Sequence, residues 1–304
     1  MITIPAPFAR LIVELHEEKG RDWLARLPTI LARGEQRWGL TLGIPFPNLS
    51  FHFVVPAVRT DGTPVVLKAH APTGEFAEET RTLRLFDGHG MVRLLADSVE
   101  DEVMVLEYLR PGTSLREVKD DVQAISIAAT VMKRLWQPAP KNHMLATTAG
   151  WGKGFLRLRQ RYNGGNGPFP QALLEEAETL FTELSASMAI PMLLHGDLHQ
   201  DNILASERNG WIAIDPKGLV GEPAYETGAI LRNFFPELLT MPDPQSVLAR
   251  RIDQFAEELN VDRVRVRGWG LSQAVLAAWW SVEDSGQVGE NALLCAEWLA
   301  KVKV

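Results

Sequence analysis

Cysteine is almost missing from this chain. Cys295 is the sole thiol in 304 residues, so no intrachain disulfide can form, which suits a reducing compartment. No stretch approaches eighteen consecutive apolar residues, so no membrane-spanning segment and no membrane partner are expected. The opening MITIPAPFARLIVELHEEKG has no basic segment followed by an apolar run and a small-residue cleavage site, and a cytoplasmic location is the expectation. Positive charge is not in excess either. Lys and Arg number 31 against 38 Asp and Glu, a net charge of -7, which argues against nucleic acid as a partner and is compatible with a cationic ligand. Internal repeats and low-complexity tracts are absent.

What is present is ordinary globular material: 46% hydrophobic and 23% charged residues, enough for two domains or one domain with two lobes. Residues 5–37 read as mainly helical, broken near Pro28, with Phe8, Leu11, Ile12 and Leu15 on one face. LSFHFVVPAV and PVVLKAH read as strands joined at Asp61-Gly62, a favoured tight-turn pair. EFAEETRTLRLFDG reads as a helix closing at Gly88, and MVRLLAD and VMVLEYL as two further strands. Residues 1–109 are therefore a small antiparallel sheet with a helix across it, preceded by helices.

Residues 110–304 differ in character. Thr113 or Ser114 is the expected cap of a long helix carrying Leu115, Val118, Val122, Ile125, Ala129, Met132 and Leu135. Residues 137–169 are a loop-rich segment with a helix starting near Trp151, and another helix runs from about Gln171 to Ser187. NILA and WIAID flank Asn209-Gly210 as a hairpin, and residues from Tyr225 to Lys303 are mostly helical. The fold class is α+β, a small sheet-rich lobe followed by a larger helical lobe.

The densest polar stretch is LLHGDLHQDNILA, residues 193–205. As a zinc site it would use His195, His199 and a carboxylate, but Gly196 after PMLL argues for a strand ending in a loop rather than a ligand-bearing helix. As a solvated turn it would need no such order of residues. As a phosphoryl-transfer loop it fits: Asp197 and Asn202 have the Asp-x-x-x-x-Asn spacing of kinase catalytic loops, and a hairpin follows that ends on Asp215 in WIAIDPKG. Such hard oxygen ligands suit magnesium.

HGDLHQDNIL together with AIDPKGLVGEPAYE resembles the aminoglycoside phosphotransferase-like kinases, and within them the streptomycin 6-phosphotransferase and hydroxyurea phosphotransferase subgroup. DGTPVVLK, LRLFDGHG and AAWWSVED resemble that subgroup as well, and the likeness runs over roughly residues 40 to 285. The resemblance implies a two-lobed protein-kinase-like fold that binds ATP and magnesium between the lobes. The γ-phosphoryl group would pass to a hydroxyl of a small molecule, an antibiotic such as streptomycin or hydroxyurea. The alternatives are a metabolic kinase for a sugar, amino alcohol or nucleoside, and a nucleotide-binding pseudokinase. Oligomeric state is not legible.

By the same resemblance Asp197 orients or deprotonates the acceptor hydroxyl, and Asn202 and Asp215 bind magnesium. His195 orients the loop, and His199 stands where protein kinases carry a lysine. Lys68 neutralises phosphate with Glu79 as its partner, Glu78 being adjacent, and Glu107, Tyr108 and Leu109 form the hinge that meets adenine. The Gly-x-Gly-x-x-Gly of protein kinases is missing. GIPFPNLSFHF stands in its place, with amides of Asn48 to Phe51 available to phosphate, which leaves GTP open as a donor. The candidate acceptor wall is Asp201, Glu222, Glu226, Trp279, Trp280, Glu283 and Asp284, because carboxylates beside indoles suit guanidinium or ammonium groups. Trp151 and Trp211 are expected in the core.

Overall fold

The structure is a computed structural model and describes residues 2–233 and 237–304. The chain folds as two compact units, Met1–Gly112 with Ser206–Arg208, and Thr113–Ala205 with Asn209–Val304.

The first unit opens with helix α1, Ala6–Trp38, which closes on Gly39 in the left-handed conformation. Its break is not at Pro28, which lies inside the helix, but at Glu17, with φ 49° and ψ -121°. The bend has a packing cause. Phe8 and Ile12 before it and Trp23, Leu27, Ile30 and Leu31 after it all join one core cluster with Phe53, Val55, Val65 and Leu67 of the sheet. A straight helix could not lay both stripes on the same sheet. Leu15, expected on that face, is 46% exposed.

The sheet is antiparallel in the order β1-β2-β3-β5-β4, with β1 Leu40–Leu42, β2 Phe53–Arg59, β3 Pro64–Ala69, β4 Leu94–Ser98 and β5 Val103–Glu107. Phe53, Val55 and Ala57 alternate inward along β2, the period of a half-buried strand. Strand β2 begins later than the hydrophobic run suggests, and the three residues of β1 carry too short a pattern to be read in advance. Helix α2, Phe76–Phe86, packs against β4 and ends on Asp87 and Gly88, both left-handed.

The second unit begins as β6, Pro111–Ser114, leaves the first. Here the expected helix start is wrong. Ser114 caps only a 3-10 turn over Leu115–Glu117, and helix α3, Asp121–Leu135, starts after Asp120, whose carboxylate accepts from the Gln123 amide at 3.1 Å. The intervening Val118 is extended, and Val122 is exposed rather than part of the buried stripe. Next come β7 Gln137–Pro138, β8 Ala146–Thr147, α4 Thr148–Arg161, α5 Gln171–Ala186 and β9 Met192–Leu194. Strands β10 Ile203–Ser206 and β11 Gly210–Ala213 form the anticipated hairpin, followed by β12 Leu219–Gly221 and helices α6 Thr227–Arg232, α7 Pro244–Leu259, α8 Arg263–Ser285 and α9 Glu290–Lys301.

Two features position the site. Strand β12 pairs antiparallel with β9, Leu219 opposite Leu194 and Val220 opposite Leu193. The loop leaving β9 and the segment entering β12 therefore lie at one edge. Helix α8 is buried around most of its girth and packs against α5, α6, α7 and α9, as well as the 3-10 turn Pro223–Glu226 that also contacts β9.

Candidate active site

The loop that leaves β9 is fastened to the backbone at almost every residue. Glu226, buried, accepts from the amides of His195 at 2.7 Å and Gly196 at 2.9 Å. The His195 ring is wholly buried; its Nε2 donates to the Ile214 carbonyl at 2.7 Å and its Nδ1 accepts from the Asp197 amide at 3.2 Å. Its own carbonyl accepts from the amides of Lys217 and Gly218. Burial lowers the His195 pKa to about 4, so the ring is neutral and serves as a two-ended strut. Both of its nitrogens are occupied, which removes it from any zinc site. Gly196 takes φ 91°, and a Cβ there would meet Trp151 at 3.2 Å. Trp151 thus stands beside the loop, half-buried and edge-on to Trp280 with centroids 5.6 Å apart.

Asp197 follows, with its side chain 29% exposed. One oxygen, Oδ1, accepts from Arg232 Nη2 at 2.9 Å; the other, Oδ2, lies 3.9 Å from His199 Nε2. Burial would raise the carboxyl pKa, yet the charge of Arg232, with a smaller contribution from Lys217, overcomes it and holds the group below the ordinary carboxylate range. Asp197 is therefore an ionised carboxylate with one oxygen clamped by Arg232. Arg232 escaped the sequence reading; its only signal was a lone cation in the apolar run GAILRN.

Asn202 donates its side-chain amide to the Asp197 carbonyl at 3.0 Å, and its own carbonyl accepts from the Ile214 amide at 2.9 Å. Asp215 follows Ile214 with φ 61°. His195 feels the charges of both Asp197 and Asp215, which places the two carboxylates in one neighbourhood. Magnesium fits this donor set. With the Asn202 amide nitrogen turned to backbone, its hard oxygen is the remaining donor beside the Asp215 carboxylate.

The proposed acceptor wall is rearranged by arginines. Asp201 is held bidentate by Arg116, at 2.8 and 2.7 Å, which holds its pKa down against burial. Glu222 pairs with Arg265 and accepts from Trp269 Nε1 at 3.0 Å. Glu283 takes Arg157 at 2.6 and 2.9 Å. Glu226 supports the loop from inside rather than facing an acceptor, and burial pushes it up to about 7 despite the two amides it accepts from. Trp279 is buried and edge-on to Tyr162, a core position, while Trp280 is half-buried and Asp284 exposed. Trp211 is half-buried.

In the first unit, Lys68 on β3 bonds both oxygens of Glu79 on α2, at 2.8 and 2.7 Å, with both side chains buried. Of the two adjacent candidates, Glu79 rather than Glu78 takes the Lys68 ammonium among the described residues. The Glu107 amide donates to the Arg93 carbonyl, and the Glu107 carboxylate is gripped by Arg208 at 2.8 and 3.0 Å. Arg208 also donates to the carbonyls of Gly88 and Met91. Its long-range partners give no local sequence signal. Tyr108 and Leu109 follow β5, Leu109 buried and Tyr108 beneath Arg110 with the guanidinium 5.7 Å from the ring.

The fold and these residues define a protein-kinase-like small-molecule phosphotransferase. Among solved structures, a thermostable mutant of aminoglycoside phosphotransferase APH(4)-Ia, in ternary complex with ADP and hygromycin B, superposes with a TM-score of 0.62 at 12% identity, covering 89% of this chain and 96% of that one. Residues 37–285 match the family described as aminoglycoside/hydroxyurea antibiotic resistance kinase, and the chain belongs to it. It is a phosphotransferase with an alcohol group as acceptor. Streptomycin 6-kinase of Streptomyces glaucescens is 33% identical over 93% of this chain and 92% of its own. Hydroxyurea phosphotransferase of Kitasatospora aureofaciens is 32% identical over 96% and 83%. No helix among the described residues is long and apolar enough to cross a membrane.

Proposed function

We propose that the protein transfers the γ-phosphoryl group of ATP to a hydroxyl of streptomycin or a similar guanidinium-bearing antibiotic. The observation that carries the reading is the Asp197 carboxylate, ionised, with Oδ1 fixed by Arg232 and Oδ2 turned towards His199. An acceptor hydroxyl would donate to Oδ2, attack the γ-phosphorus along the line of the departing ADP oxygen, and pass its proton to Asp197 as the new O–P bond forms. A carboxylate held this acidic is a weak base. Its main work is orientation, which suits a loose transition state where the nucleophile needs placing more than early deprotonation. Asn202 and Asp215 would hold magnesium, which neutralises charge on the phosphate oxygens. Lys68, kept extended by Glu79, would add a second positive charge to them.

Streptomycin is preferred over hydroxyurea because of Trp280 and Trp151 beside the loop and Glu283 and Asp284 at the end of α8, which offer aromatic faces and carboxylates to a cation. A guanidinium on the acceptor would take over Glu283 from Arg157. The test is phosphorus NMR and mass analysis of products from magnesium-ATP with streptomycin, hydroxyurea, hygromycin B and simple sugars in separate reactions. A phosphate monoester on streptomycin is expected. Phosphorylation of hydroxyurea or a sugar alone would overturn the preferred acceptor and leave the reaction class standing.

A further inference from the structure

The register of the first hairpin brings together two histidines that the reaction does not use. Phe53 pairs with Ala69, so His52 and His70, the residues just outside that pair, meet side by side with ring centroids 4.1 Å apart. His70 lies 3.0 Å, Nε2 to Oε2, from Glu79. That contact lacks the alignment of a hydrogen bond, and neither nitrogen of the fully buried His70 ring has a hydrogen-bond partner among the described residues. His52 is 8% exposed and Glu79 6%; one ligand atom from each of the three lies within 4.8 Å of the others. Glu75 sits at the rim, its Oε2 4.0 Å from His52 Nε2.

We infer that His52, His70 and Glu79 form a binding site for a divalent transition metal of the zinc class. Two imidazoles and one carboxylate are a donor set that zinc accepts readily and magnesium does not. Two atoms each ~2.0–2.1 Å from one ion lie at most ~4.2 Å apart, so side-chain adjustments on the order of 1 Å close the set. The Ala71 amide donates to His52 Nδ1 at 3.3 Å, a long bond that is given up when Nδ1 takes the proton and Nε2 the metal.

The site shares a ligand with the phosphate-neutralising pair. Glu79 bonds Lys68 through both oxygens, and a dication on Glu79 repels the ammonium. Metal binding and the Lys68–Glu79 pair therefore exclude one another. Zinc would release Lys68 and inhibit phosphoryl transfer; this consequence, unlike binding itself, rests on the proposed function.

The test is calorimetric titration of the full chain with zinc sulfate in the absence of nucleotide, with cobalt(II) as a spectroscopic probe of nitrogen-ligated tetrahedral geometry. One equivalent should bind, with intense cobalt d–d absorption. His52→Gln and His70→Asn should each weaken binding by about tenfold or more, as loss of a ligand requires, and Lys68→Ala should tighten it by removing the competing cation. If His70→Asn fails to fold by circular dichroism, His52→Gln, nearer the surface, decides. Zinc binding unchanged in His52→Gln, or octahedral cobalt spectra, would overturn the site. If binding behaves as expected but no acceptor is ever phosphorylated, the functional reading fails and the metal site stands.

Discussion

At Asp197 the environment matters as much as the residue. Arg232 fixes one oxygen and lowers the acid's pKa, so it sets both direction and charge. Arg232→Ala should lower kcat by about tenfold or more, as expected when a positioned group loses its geometry, and should move the acid limb of the kcat profile to higher pH. A profile measured from acid to neutral pH checks both; an unchanged limb would show that Arg232 does not act through Asp197. His195 makes a second residue-scale prediction. Its folded pKa, about 4, lies below the ordinary 6.5. Between those values the unfolded chain binds more protons, so the stability His195 contributes is present above 6.5 and lost as pH falls through 4. The destabilisation caused by His195→Gln should therefore shrink by about 3 kcal/mol between neutral pH and pH below 4. Urea melts of both proteins across that range measure it, and a constant difference would contradict the assignment.

At the scale of elements, hairpin signals and alternating strands were legible because their periodicity is local. Phe53, Val55 and Ala57 spell their own burial, and Asp61-Gly62 spells its turn. Strands β1, β8 and β12 were not legible, since two or three residues carry no period and become strands only through partners supplied by the fold. The α1 break was misplaced for a similar reason: Pro28 is a local signal, whereas the bend at Glu17 answers to a sheet that the local sequence does not contain. Gly20 records that bend, because a Cβ there would lie 2.4 Å from the Ile12 carbonyl oxygen across it. Gly20→Ala should cost about 1–3 kcal/mol, the range for an overpacked contact, seen as a lowered melting temperature. A neutral or raised Tm would mean the two segments of α1 do not approach so closely. In the candidate site, Asp197 and Asn202 stood out by their spacing and Asp215 by its place at the end of a hairpin. The arginines on Asp197, Glu222 and Glu283 were not, since they arrive from 35, 43 and 126 residues away.

For the whole molecule, the net charge of -7 favours approach of a cation such as the proposed acceptor. Raising the salt concentration should therefore raise KM for streptomycin several-fold, since a Debye length of about 8 Å at physiological ionic strength shortens further, while KM for an uncharged acceptor stays flat. Equal salt responses would remove long-range attraction from the account. Asp197 is proposed to place the acceptor hydroxyl for transfer from magnesium-ATP. The most direct measurement of that role is acceptor-dependent ADP release by the parent and by Asp197→Ala at saturating ATP. The variant should fall by about 10²- to 10⁴-fold, the usual loss for such a group, with its fold and melting behaviour retained. An Asp197→Ala enzyme that released ADP with acceptor as fast as the parent would contradict the account.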